Sequence, residues 1–499
     1  MVVAVGKEIA RILSELRKLG ATPAGLAADS RAVAPGEVFL AYPGGQVDGR
    51  RFVGDAVARG ARAVLWERDG FAWPGELVVP NLAVAGLKRL AGPLAAEVYG
   101  HPSERLWVVG VTGTNGKTSC SQWIAQALAA AGRKTAVIGT LGLGYVGALA
   151  DNPNTTPDAI VLQRAQRRFL DEGARCVSLE ASSIGIDQGR LDGVRIDCAL
   201  LTNLSRDHLD YHGDMERYAQ AKLALFHSPG LTHAVLNLDD ALGVRVAHLR
   251  AGTGVARIGY STAAGVAAAS GLDQWLESHD LRQSASGLEF TVASDHGSAR
   301  VASPLVGRFN VANLLGVIGV LLAAGFTLEA AAEAVSRLGP PPGRMQRLGG
   351  GERPLVVVDY AHPPDALEKC LGALTDIARA RGGRLVCVFG CGGDRDRGKR
   401  PLMGAAASRY ADFVVLTSDN PRGESPAAII DEIRPGVSVP YEVHVDRRAA
   451  IGAAVAAARA GDVVLLAGKG HEPYQEIAGE RRPFADAEEA RKALEAWRP

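Results

Sequence analysis

Short apolar runs alternate with amphipathic stretches along nearly the whole chain. Toward the N-terminus the runs are 38–41, 63–66 and 77–79, among helical stretches that begin with residues 1–19. A second series starts at 106–111, includes 176–179 and 198–201, and continues to about residue 326, with a β-rich stretch over about 281–306. A third series holds four runs, 355–358, 385–389, 413–416 and 463–466. Strands apolar at every position are buried on both faces, and strands separated by helices pair in parallel. The pattern predicts an α/β protein with mostly parallel sheets. Two punctuations divide it, the polar joint at 101–105 and the run Gly339-Pro340-Pro341-Pro342-Gly343. The expected domains are 1–101, 102–338 and 339–499. A length of 499 residues agrees with three domains at roughly 150 residues each.

Composition narrows the function classes. Apolar residues make up 47% and charged residues 22%, enough to bury several cores. Lys plus Arg total 55 against 54 Asp plus Glu, a formal charge of +1. Such a chain has no global field for nucleic acid or an anionic membrane. Aromatics are only 5%, too few for a base-stacking platform. An anionic ligand must therefore be held by a local site. Residues 1–19 lack the apolar segment of a signal peptide, and no run approaches a membrane span. The six cysteines, Cys120, Cys176, Cys198, Cys370, Cys387 and Cys391, are scattered without a CxxC pair and are expected as free thiols. A cytoplasmic monomer is the expectation.

The polar motifs nearly all follow a predicted strand, which places them in the ligand crevice of an open parallel sheet. The most specific begins after 106–109: Gly110-Val111-Thr112-Gly113-Thr114-Asn115-Gly116-Lys117-Thr118, followed by a helical pattern with Ile124 and Leu128 one turn apart. A glycine-rich loop between strand and helix points backbone N–H groups at phosphate. Lys117 would neutralise β/γ-phosphate charge and the Thr118 hydroxyl would ligate Mg²⁺. Five residues, rather than four, separate Gly110 from Gly116. The loop alone leaves kinase, switch GTPase, motor and ligase open.

Residues 112–118 resemble the ATP loop of the Mur ligases, enzymes that build the peptide of bacterial cell-wall precursors. Further blocks resemble that family in its order: Asn154-Thr155-Thr156, Glu180-Ala181-Ser182-Ser183, residues 202–210, Gly307-Arg308-Phe309-Asn310 with Asn313, Gly343-Arg344, residues 359–363 and Gly468-Lys469-Gly470-His471-Glu472. The resemblance implies a UDP-substrate-binding domain, a central P-loop ATPase-type domain and a C-terminal Rossmann-like domain that brings the amino acid. It also implies ATP as substrate and Mg²⁺ as cofactor. Ser418-Asp419-Asn420-Pro421-Arg422 resembles the signature of members that add meso-diaminopimelate, with Arg395 as a second arginine. A guanidinium fork suits the far carboxylate of that diamino acid, which lysine lacks.

What the resemblance implies is an ADP-forming amide ligase joining meso-diaminopimelate to UDP-N-acetylmuramoyl-L-alanyl-D-glutamate through an acyl phosphate. It implies catalytic roles for Lys117, Glu180, His208, Lys222 and Arg344. ATP falls to Gly113, Thr114, Asn115, Gly116, Lys117, Thr118, Asn310, Arg344, Asp359 and His362, although Asn310 equally suits a helix cap. Metal falls to Thr118, Glu180, His208 and Lys222, the last once carbamylated; read alone, Lys222 is a solvated helix lysine. The UDP-dipeptide falls to Ser30, Gln46, Asn154, Thr155, Thr156, Ser182, Gln188 and Arg190. The amino acid falls to Arg395, Asp419, Asn420, Pro421, Arg422, Gly468 and Glu472. Ala28, Gly45 and Ile184 depart from the residues common at those positions. The alternatives are a lysine-adding ligase of the same fold, a folylpolyglutamate synthetase, and, from another class, a P-loop kinase or nucleotide-gated binding module. Arg422 could also pair with a surface carboxylate.

Overall fold

The computed structural model describes residues 2–45, 47–284 and 286–499, without the side chains of residues 2–4. The amphipathic helix Val2–Lys18 packs Ile9, Ile12 and Leu16 on a four-stranded parallel sheet of β1 (Leu26–Ala27), β2 (Val38–Ala41), β3 (Ala63–Glu67) and β4 (Asn81–Val84), in that order. The apolar run 77–79 is not a strand. Val78 is 98% exposed, and β4 begins only after Pro80, whose carbonyl accepts from the Val64 N–H. Prolines at 74 and 80 keep the run out of the ladder.

The central sheet has eleven strands: β5 (Trp107–Thr112), β6 (Thr135–Gly139), β7 (Gly142–Tyr145), β8 (Ala148–Ala150), β9 (Cys176–Glu180), β10 (Cys198–Leu201), β11 (His233–Asn237), β12 (Ala256–Ser261), β13 (Gln274–Ser284), β14 (Gly287–Ser294) and β15 (Gly297–Ser303). Their order is β15-β14-β13-β12-β11-β10-β5-β9-β6-β7-β8. The middle pairs in parallel, and antiparallel strands extend both edges. Apolar side chains of β5 alternate between two buried cores: Val109 and Val111 face one, Val108 the other. The chain leaves β5 toward β6 and returns through β9 before crossing to β10, so β5 lies at the switch of strand order, where a crevice opens.

A third sheet holds β16 (Gln346–Gly349), β17 (Leu355–Asp359), β18 (Leu385–Phe389), β19 (Phe413–Leu416), β20 (Tyr441–Val443) and β21 (Val463–Ala467), ordered β16-β17-β21-β18-β19-β20. Only β16 runs antiparallel. The hairpin of β22 (Tyr474–Ile477) and β23 (Glu480–Pro483) stands apart. The four strands expected here are all present. The proline run is held to the second sheet's helix Lys117–Ala130 by the Trp123 indole, which donates to the Gly339 carbonyl at 2.9 Å. All six cysteines are free and buried. Among the described residues, no helix is long and apolar enough to cross a membrane.

Candidate active site

The register Val111↔Glu180 and Leu201↔Thr112 brings the carboxyl ends of β5, β9 and β10 to one level. The phosphate loop turns there. Gly113 has φ +149°, and a Cβ on it would lie 1.8 Å from Thr202 Oγ1. Gly116 has φ +87° and would clash with Asn313 Oδ1 at 2.5 Å. Only glycine fits either place. Asn203 braces the loop, accepting from the N–H groups of Thr114 and Asn115 at 2.9 and 3.0 Å. Lys117 opens the following helix, and its Nζ donates to the carbonyls of Gly113 and Thr114, each at 2.8 Å. Burial pulls its pKa below the ordinary lysine value, against the opposing pull of Glu180 and Asp207.

Glu180, at the end of β9, is fully buried. It accepts from the Thr118 hydroxyl at 3.0 Å, the Thr140 N–H at 2.8 Å and the Thr140 hydroxyl at 3.1 Å. The Thr140 hydroxyl also meets Thr155 Oγ1 at 3.0 Å, while Thr156 donates to the Glu180 carbonyl at 2.7 Å. Phosphate loop, Glu180 and the Asn154-Thr155-Thr156 block are therefore one network. Thr140 is its junction, and no motif in the sequence marks it.

Lys222 is 1% exposed rather than solvated. It lies in the helix Met215–Leu223, which continues as a 3₁₀ turn, Ala224–His227. Its Nζ donates to the Gly113 carbonyl at 2.8 Å and sits 4.3 Å from the centre of the Tyr218 ring. Burial, with Lys117 nearby, takes its pKa well below the ordinary lysine value. His208 has a left-handed backbone, φ 54°, and sits 3.5 Å from Asp207 and 6.2 Å, ring to ring, from Tyr218. Tyr218, unmarked in the sequence, also meets Thr114 Oγ1 at 3.1 Å. Among the described residues, no three His, Cys, Asp or Glu side chains converge on one point. Of the four residues expected at a metal, Thr118 and Glu180 are in direct contact.

From the third sheet, Arg344 Nη2 donates to Thr118 Oγ1 at 3.2 Å and the guanidinium lies 4.6 Å over Tyr360. Asp359 ends β17 and accepts from the N–H groups of Met345 and Ala361 at 2.7 and 2.8 Å; burial raises its pKa. His362 Nδ1 bonds the Tyr360 carbonyl at 2.9 Å. Asn310 is not a helix cap: Arg308 holds that place, and Asn310 donates to the Val306 carbonyl and accepts from Asn313. These groups line a cavity of about 1040 Å³ between the two sheets, together with Asn154, Thr155, Ser182, Arg190, Glu180, His208 and Lys222. Arg190 donates to the Thr156 carbonyl and to Gln188 Oε1. Ser30 is buried in the first domain, in the turn capped by Asp29 beyond this cavity's lining. Gln46 lies outside the described residues.

The amino-acid set gathers at the carboxyl ends of β18, β19 and β21. Arg422 is in the left-handed region, φ 51°, and donates from Nη1 to the Gly393 carbonyl at 2.8 Å. A Cβ on Gly392 would lie 2.9 Å from Arg422 Nη1 and 3.8 Å from Arg395 Cγ, so both arginines flank that glycine. Glu476 Oε2 lies 3.9 Å from Arg422 Nε, at the outer edge of ion-pair distance, so the expected alternative of a carboxylate partner is met loosely. Asn420 donates to Glu472 at 2.8 Å, and the buried Lys469 spans Asn420 and Glu472 at 3.0 and 2.9 Å. A Cβ on Gly468 would lie 2.6 Å from Asp419 Oδ2, and Gln475 holds the Asp419 carbonyl at 2.7 Å. Pro421 presses its carbonyl toward Gly393. None of this set lines the large cavity.

Three family models match in chain order: the "Mur ligase family, catalytic domain" over residues 23–97, the "Mur ligase middle domain" over 111–321 and the "Mur ligase, glutamate ligase domain" over 343–470. A curated relative from Chromobacterium violaceum is 51% identical over 489 residues, covering 97% of this chain and 96% of its own. The chain belongs to the Mur ligase family. That relative, and one from Pseudomonas aeruginosa, 50% identical with 95% of both chains covered, bear the name UDP-N-acetylmuramoyl-L-alanyl-D-glutamate–2,6-diaminopimelate ligase. A solved structure of the same name is 40% identical and superposes with a TM-score of 0.66 over 95% of each chain. The MurF ligase of Thermotoga maritima in complex with ADP shares the fold, with a TM-score of 0.65 at 20% identity and coverage of 95% and 98%. This Mur ligase is thus an α/β ligase of three successive family modules.

Proposed function

We propose that this Mur ligase joins meso-diaminopimelate to UDP-N-acetylmuramoyl-L-alanyl-D-glutamate, forming ADP and phosphate. The UDP-dipeptide domain is residues 1–101, the ATP domain 102–338 and the amino-acid domain 339–499. One observation carries the reading: the phosphate loop and two arginine-bearing loops belong to different sheets that meet where Arg344 touches Thr118. Full-length relatives named for 2,6-diaminopimelate support the choice of amino acid over lysine.

In this reading ATP lies along residues 113–118, with Asn310, Asp359 and His362 around its nucleoside. Lys117 lies against the β/γ-phosphates, and Arg344 meets the γ-phosphoryl group as it moves to the γ-carboxylate of the D-glutamyl residue. Positioning and charge neutralisation do most of the work in such a transfer. Thr155, held through Thr140 to Glu180, places that carboxylate; Ser182, Gln188, Arg190, Asn154, Thr156, Ser30 and Gln46 hold the remainder of the UDP-dipeptide. The contacting Thr118 hydroxyl and Glu180 carboxylate are hard oxygen donors, and one carboxylate completed by phosphate oxygens suits Mg²⁺. His208 and a carbamylated Lys222 would complete the metal environment, which supplies charge neutralisation for the phosphoryl oxygens. Glu472, Asn420, Asp419 and Gly468 receive the amino acid's near end, and Arg395 and Arg422 its far carboxylate. The amine displaces phosphate from the acyl phosphate.

The test is ADP formation with UDP-dipeptide and either meso-diaminopimelate or L-lysine. Turnover with the diamino diacid alone is expected, and Arg422→Ala should raise its KM about 10- to 100-fold, the loss of one charge-assisted fork. Equal turnover with lysine, or an unchanged Arg422→Ala enzyme, overturns the specificity.

A further inference from the structure

Arg395 and Arg422 sit on separate loops, one after β18 and one after β19, and a set of reciprocal hydrogen bonds stitches those loops together. The Asp394 N–H donates to Glu424 Oε1 at 2.6 Å, and the Gly423 N–H donates back to Asp394 Oδ2 at 3.0 Å. The Gly393 N–H donates to the Asn420 carbonyl at 2.9 Å. Asp394 directly precedes Arg395, and Gly423 directly follows Arg422, so each arginine is one residue from the stitch. The loops are also pressed together, since a Cβ on Gly393 would lie 1.9 Å from the Pro421 carbonyl oxygen.

A buried cation braces the stitch from below. Arg400, in the helix Lys399–Tyr410, has a fully buried side chain whose fork spans both Glu424 oxygens at 2.7 and 3.0 Å. Its Nη1 also donates to Glu432 at 2.8 Å. A fork that grips both oxygens fixes the direction of the carboxylate as well as its position. Asp394 and Arg422 are both in the left-handed region, with φ 52° and 51°. Two non-glycine residues hold that conformation only where their surroundings over-determine it, and such residues gather at ligand clamps. Asp394 itself is exposed and fills no core, so what its carboxylate fixes is the relation between two loops.

We propose that Asp394 is a positioning residue for the amino acid: its stitch to Gly423, braced by Glu424 and Arg400, sets the separation of the Arg395 and Arg422 forks and so selects the length of the incoming diacid. This rests on the ligase reading above and deepens it. A planar fork recognises a carboxylate by direction as well as charge, so two forks on one carboxylate work together only at a fixed spacing. A diacid one methylene shorter carries its far carboxylate short of that point.

The test compares wild type, Asp394→Gly and Asp394→Asn, each with meso-diaminopimelate and with its homologue one methylene shorter. Glycine adopts the left-handed conformation freely but brings no carboxylate; asparagine tolerates it and keeps an oxygen for the Gly423 N–H. Asp394→Gly should raise the KM for meso-diaminopimelate roughly 10-fold, short of the 100-fold that a misplacement of about 1 Å costs, and lower the preference for the longer diacid by a similar factor. Its kcat and its KM for ATP should stay within about twofold and its melting temperature within a few degrees. Asp394→Asn should restore most of both losses. An unchanged KM and preference in Asp394→Gly overturns the proposal. So does a loss shared equally by the two diacids and ATP, or one that Asp394→Asn does not restore, since either marks a merely structural role. Wild-type ADP formation that ignores the amino acid overturns the ligase reading, and the proposal with it.

Discussion

Arg344 and Thr118 are 226 residues apart and belong to different sheets, yet Nη2 of the one donates to Oγ1 of the other at 3.2 Å. Thr118 in turn donates to Glu180, so a cation, a hydroxyl and a carboxylate stand in line at the phosphate loop's end. A group that meets the γ-phosphoryl chiefly during transfer stabilises the transition state more than bound ATP. Arg344→Ala is expected to lower kcat about 10²- to 10³-fold, as loss of an oxyanion donor does, while ATP affinity changes only a few-fold. Arg344→Lys should fall between. Steady-state kinetics with equilibrium nucleotide binding checks this; unchanged turnover rejects the role.

Lys222 has the environment of a lysine that is easily made neutral: nearly sealed from solvent, 4.3 Å from the Tyr218 ring centre and beside Lys117. A lowered pKa raises the share of free amine, and a free amine adds CO₂. Intact mass under native, CO₂-replete conditions should show one added CO₂ that is lost on acidification. Because the carbamate is anionic, activity should fall in CO₂-depleted buffer and as pH drops toward the acid side. A fully active, unmodified protein counts against it.

Much of this site was legible as blocks of residues after strands, since buried parallel strands announce themselves and polar loops at their ends stand out. The 77–79 run deceived because proline geometry, rather than hydrophobicity, decides where β4 may begin. Lys222 looked like a solvated helix lysine because its helical neighbours say nothing of the Gly113 carbonyl folded above it. Thr140 and Tyr218 carry no motif; each matters through partners far along the chain, 40 residues to Glu180 and 104 to Thr114. Asn310 shows the same limit, since its cap-like position could be resolved only by seeing Arg308 take that place.

Asp365, in the first turn of the helix Pro364–Ala380, accepts from Asn115 Nδ2 at 3.1 Å and Ser205 Oγ at 2.8 Å. One carboxylate oxygen of the third sheet's module thus clasps the phosphate loop and the loop after β10. Both donors are neutral and the carboxylate is partly exposed, so each bond contributes about 1 kcal/mol. Asp365→Ala should leave the melting temperature within a few degrees and raise the amino-acid KM several-fold, because the amino-acid loops dock less often. X-ray scattering with ADP bound should show a larger radius of gyration for the variant. Identical scattering and KM would mean the clasp does not govern docking.

Arg447 and Asp486 form an ion pair at 2.7 Å with both side chains fully buried. Two further guanidinium hydrogens go to the carbonyls of Ala467 at 2.9 Å and Ser418 at 3.3 Å. Those carbonyls lie at the roots of the Asp419–Arg422 and Gly468–Glu472 loops, so the pair fixes the spacing of the two loops assigned to the amino acid. Removing one partner of a buried pair strands the other's charge, at a cost of about 3–5 kcal/mol. Asp486→Ala should therefore lower the denaturant midpoint markedly, and Asp486→Asn, which keeps an acceptor for Arg447, should lose less. If the loop spacing matters as the geometry requires, the folded Asp486→Asn enzyme should also show a raised KM for the diamino acid with an unaltered KM for ATP. A loss of stability with every Michaelis constant unchanged would confine the pair to holding the third sheet together.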